Sequence, residues 1–142
     1  MNTKLASAGL VLAFAAGFLL RGVVPGEPVV QAQGPRVFEL RTYTVPDKAR
    51  LDLLHKRFKD HSLGFFQRHG MASIWFGKTI EPPLNETTMV YILGHASRDA
   101  ARKSWDAFRA DQEWAAVAKQ SGVGPVKIDA VFLEATDYSP MK

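Results

Sequence analysis

The stretch Val37-Phe38-Glu39-Leu40-Arg41-Thr42-Tyr43-Thr44 decides the fold. Side chains alternate along a strand, so Phe38, Leu40 and Thr42 point one way and Glu39, Arg41 and Tyr43 the other. A half-exposed strand would leave its second face in water. Three large groups able to join one hydrogen-bonded chain imply instead a polar surface that is covered or that lines a cavity.

Downstream, the elements alternate. Pro46 and Asp47 open a helix with Asp47 as N-cap. Leu51, Leu54, Phe58, His61, Phe65 and His69 recur at threes and fours as its inner stripe, and Gly70 stops it. Met71 to Ile80 reads as a second strand, Glu81-Pro-Pro-Leu-Asn85 as a stiff turn, and Thr87 to His95 as a third strand paired antiparallel with the second. Ser97 caps another helix, with Ala101, Trp105 and Phe108 inside. Asp111 caps a short extension carrying Trp114, and Gly122, Gly124 and Pro125 end it. Val126 to Ala135 is the last strand. The order β-α-β-β-α-β predicts an α+β ferredoxin-like fold, with one four-stranded antiparallel sheet and helices on one side.

Helices on one side leave a problem, because both faces of these strands are bulky. Phe38 and Leu40 oppose Tyr43, Ile74 and Phe76 oppose Trp75, and Val90 and Ile92 oppose Tyr91 and Leu93. Packing two sheets face to face would cover the exposed side, as in a dimeric α/β barrel. The expected partner is a second copy, docked on the face carrying Arg41 and Tyr43.

Composition fits one ordinary domain: 142 residues, 46% hydrophobic and 23% charged, with net charge +4. The basic residues are scattered rather than clustered in a stripe, which argues against nucleic acid as a partner. The absence of cysteine excludes disulfides and thiolate chemistry. At the start, Lys4 precedes an apolar run from Leu5 to Leu20, and Pro25, Gly26 and Pro28 then break any helix. Residues 1–35 read as a signal peptide or an uncleaved membrane anchor plus tether, with Val30-Gln31-Ala32 offering a cleavage site. Residues 36–138 are the domain, residues 139–142 a tail, and the domain is expected outside the cytoplasm. The membrane is a partner only through the N-terminal segment if it stays uncleaved.

Phe38-Glu-Leu-Arg-Thr-Tyr-Thr44 resembles the opening of the NIPSNAP domain family. Four further features agree: His69-Gly70, Pro83-Leu84-Asn85, Ser97-Arg98, and the block Ser104-Trp-Asp-Ala-Phe108 followed by Asp111-Gln-Glu-Trp114. Gln112 stands where the family often has proline. The resemblance spans about Val37 to Ala135 and implies a dimeric α/β barrel of the ferredoxin-like superfamily, but it implies little about chemistry.

The ligand-binding candidates are Glu39, Arg41, Tyr43, His61, Trp75 and Tyr91. Buried Arg41 needs a carboxylate, from Glu39, Glu134 or the partner, and either belongs to an ion-pair network or joins Tyr43 in holding an anionic or carbonyl ligand. The histidines lack metal-ligand spacing, so no metal is expected. No cofactor is expected either, although His61 could serve as an axial ligand if an apolar haem cavity lay beside it. Three functions follow: an exported homodimer that binds a small ligand or a protein, a cofactor-independent or haem-linked monooxygenase-type enzyme by fold analogy, or a structural dimer without a site.

Overall fold

The structure, a computed structural model, describes residues 37–142. The leader and tether expected over residues 1–35 lie outside the described residues. Among those residues, no helix is long and apolar enough to cross a membrane.

Four strands, β1 (Val37–Thr44), β2 (Ala72–Lys78), β3 (Thr88–His95) and β4 (Lys127–Leu133), form one antiparallel sheet in the order β2-β3-β1-β4. Helices α1 (Lys48–Arg57) and α2 (Leu63–Arg68) connect β1 to β2, and α3 (Arg98–Ala110) and α4 (Gln112–Gln120) connect β3 to β4. This is the ferredoxin-like α+β fold.

The expected caps are in place. The Asp47 carboxylate accepts from the Arg50 N–H at 2.9 Å, and Ser97 Oγ accepts from that of Ala100 at 3.0 Å. Asp111 Oδ1 accepts from the N–H groups of Glu113 and Trp114. After α2, Gly70 takes a φ of +73°. The Gly70 N–H bonds the Gln67 carbonyl and the Met71 N–H that of Phe66, which closes the last turn as a Schellman motif.

The register assigns the two faces of the sheet. Phe76, Tyr91, Arg41 and Ala130 form one cross-strand row, and Ser73, Leu93, Glu39 and Phe132 the next. These rows lie under the helices, where Tyr43, Tyr91 and Leu93 pack with Leu54, Phe58, Phe66, Trp105 and Phe108. Trp75, Ile92, Leu40 and Val131 form the matching row on the opposite face. Trp75 is 52% exposed and Val131 50% exposed there. A bulge between Ser73 and Trp75 shifts the register of β2, and the Trp75 ring lies over Gly77, where a Cβ would stand.

Two expectations are corrected. The face carrying Glu39, Arg41 and Tyr43 is covered by the chain's own helices, not by a second copy; the apolar Leu40 row is the uncovered one. Glu39 neutralises Arg41 two residues away, so the pair enters the monomer core without net charge. His61 is not on the inner stripe. A π turn, Phe58–Ser62, interrupts the helix, with the Leu63 N–H bonding the Phe58 carbonyl five residues back. The extra residue hands the inner position to Ser62, which is buried, and leaves His61 exposed.

Candidate functional site

Alternation along β1 and β3 gathers a polar network beneath α3. Glu39, 2% exposed, is its hub. Its Oε1 accepts from Arg41 Nη1 at 2.5 Å, and its Oε2 accepts from Trp105 Nε1 at 2.7 Å. His95 Nε2 lies 3.0 Å from the same Oε2. The Arg41 guanidinium also stacks 4.1 Å from the Trp105 ring centroid and 5.7 Å from that of Tyr43. Burial alone would raise the Glu39 pKa, but the bonds from His95 and Trp105 and the charge and bond of Arg41 hold it below the ordinary carboxylate value. Burial likewise works against the Arg41 charge, and the fields of Tyr91, Tyr43 and Glu39 outweigh it.

Glu39, Arg41, Tyr43 and Tyr91 are thus brought together, as the strand pattern implies. Tyr43 and Tyr91 stand edge to face at 5.2 Å. The Tyr91 hydroxyl is buried without a hydrogen-bond partner, and burial pushes its pKa well above the ordinary value. Trp75, on the opposite face, and His61, outside the helical layer, do not join them. Glu134 is exposed and leaves Arg41 to Glu39. His95 and Trp105 were missing from the expected set as partners of Glu39. For His95 the signal was its alternation with Tyr91 and Leu93, which puts it on their face. His69 Nε2 lies 2.9 Å from Asp111 Oδ2, so it ties α2 to the cap of α4.

Among the described residues, cavities adjoin the helical layer along α3 and beside α1. A cleft of about 560 Å³ lies along α3, with Glu39, Trp105 and Phe132 in its wall and Arg98, Asp99, Arg102 and Arg109 around it. Arg102 pairs with Asp99 and Arg109 with Asp106, whereas the Arg98 guanidinium lies 5.1 Å from the Phe132 ring centroid. A pocket of about 360 Å³ lies between α1, the π turn and α4, and Arg57 and His61 line it. Leu53 and Val117 give that pocket an apolar part, and Lys56, Asp60, Gln120 and Ser121 a polar one.

Fold and sequence together define a ferredoxin-like α+β domain with a polar network under its helices. The NIPSNAP family model matches residues 38–140, and the chain belongs to the NIPSNAP family. None of the curated proteins matches it. Among solved structures, it is similar to a NIPSNAP family protein of Agrobacterium tumefaciens, with 21% identity, a TM-score of 0.64, and coverage of 75% of this chain and 98% of that one. A dimeric ferredoxin-like protein from an uncultured marine organism is 10% identical, with a TM-score of 0.55 and coverage of 74% and 99%. A Streptomyces coelicolor monooxygenase in complex with nanaomycin D is 17% identical, with a TM-score of 0.52 and coverage of 74% and 91%.

Proposed function

We propose that the chain is an exported, homodimeric module that binds a small amphipathic anion in the cleft along α3. The observation that carries this reading is the cleft's composition. Trp105 and Phe132 offer an apolar body-binding wall, and Arg98, stacked on Phe132 and in no ion pair among the described residues, offers its charge to an incoming anion. Glu39 holds the Trp105 indole in place from behind, so the wall is set before a ligand arrives. A monooxygenase of this fold is described with nanaomycin D, which accords with a small-ligand role. The uncovered Leu40, Ile92, Trp75 and Val131 row suits a second copy of the sheet, and the Leu5–Leu20 run suits export.

Fluorescence titration with 8-anilinonaphthalene-1-sulfonate, an aromatic anion, tests the cleft. Saturable binding that weakens by about fivefold or more in Arg98→Ala is expected from the loss of one charge-assisted contact; unchanged affinity contradicts the reading. The dimer is tested by sedimentation of the chain begun at Pro35. It should run as a dimer at micromolar concentration, and Val131→Asp should dissociate it by burying an unpaired charge between the sheets. A wild-type monomer contradicts the sheet pairing.

A further inference from the structure

Arg57 is the anomaly of the helical layer. It closes α1, is 9% exposed, and takes part in no ion pair among the described residues. Its Nε is buried without a hydrogen-bond partner. The contact that steadies it is the face of Trp114 on α4, 5.2 Å from the guanidinium carbon to the ring centroid. A guanidinium largely withdrawn from water, with its Nε unpartnered and a ring face as its steadying contact, is incompletely compensated for its lost hydration.

The guanidinium borders the pocket of about 360 Å³ between α1, the π turn and α4. Within the lining, Lys56 and Asp60 are bonded to each other at 2.5 Å, which leaves Arg57 as the unpaired guanidinium. Leu53 and Val117 add apolar wall, and Gln120 a polar amide. The π turn begins at the next residue and contributes Asp60 and His61 to the same lining, a distortion that recurs at functional sites.

We propose that this pocket is a second ligand site, sharing no residue with the α3 cleft, that takes a small organic carboxylate. Arg57 binds the carboxylate with its planar fork, while Leu53 and Val117 receive the apolar body. One guanidinium balances one negative charge. A phosphate dianion is disfavoured because Asp60 stands in the wall and Lys56 is already engaged.

The test is NMR on the isotope-labelled full chain, following the Arg57 Nε–H and the Gln120 side-chain amide. Benzoate should move both along a saturating curve. Benzamide, the neutral analogue, and inorganic phosphate at matched ionic strength should leave them nearly in place. No shift with benzoate overturns the proposal, and so does an equal shift with benzamide or phosphate. Arg57→Lys keeps the charge and loses the fork, so benzoate affinity read at Gln120 should fall about tenfold; unchanged affinity overturns the fork. Binding of 8-anilinonaphthalene-1-sulfonate at the α3 cleft should be indifferent to benzoate, so failure of either site is seen separately.

Discussion

Arg41 and Arg57 are two buried guanidiniums against the same aromatic core, and the fold treats them oppositely. Arg41 shares with Arg57 a buried Nε that has no hydrogen-bond partner, but it lies two residues from its carboxylate, stacks on Trp105, and belongs to a network in which Glu39 is engaged by three side chains. Arg57 has the face of Trp114 and no carboxylate among the described residues. Their pKa values part accordingly. For Arg57, burial lowers the value and the fields of Tyr43 and Tyr91 do not recover it, whereas for Arg41 the added charge and bond of Glu39 turn the balance upward. A charge closed into a network serves the fold. A charge left open beside a pocket is a place for something else to bind.

The largest effect should come from removing the shared carboxylate. Glu39→Gln keeps the shape but leaves Arg41 buried without its counter-charge, and a loss of about 3–5 kcal/mol is expected in denaturant unfolding. A loss under about 1 kcal/mol would place Arg41 in better solvent than its burial implies. The same carboxylate gives a smaller, graded signature in acid. Its folded pKa lies below the ordinary 4.5, so its contribution is complete above that value and is lost as pH falls from 4.5 through the folded value. Wild-type stability should therefore drop more steeply below pH 4.5 than that of Glu39→Gln, which has no such group to protonate. Parallel profiles would break the assignment.

Much of this frame was legible in the sequence, and the misses have physical causes. Asp47, Ser97 and Asp111 announced the helix starts because their side chains satisfy specific first-turn N–H groups, and Gly70 announced a stop that needs positive φ. Alternation along Val37–Thr44 separated the two faces correctly, but alternation alone does not say which face the helices cover. The charged face went inside because Glu39 and Arg41 cancel, and the Leu40 face was left for another surface. His61 was misplaced because a π turn leaves no mark in apolar spacing. Arg57 stands three residues after Leu54, on the same stripe, and that position was the available sign of its burial.

The most direct test of the contrast is a pair of substitutions measured side by side, Arg41→Met and Arg57→Met, each trading a guanidinium for an apolar chain of similar length. Denaturant unfolding without added carboxylate should show Arg41→Met weaker than wild type by about 3 kcal/mol, because it strands the Glu39 carboxylate. Arg57→Met should lie within about 0.5 kcal/mol of wild type or above it, because no counter-charge loses a partner. Equal losses of several kcal/mol at both positions would contradict the account, since Arg57 would then be as much a structural group as Arg41.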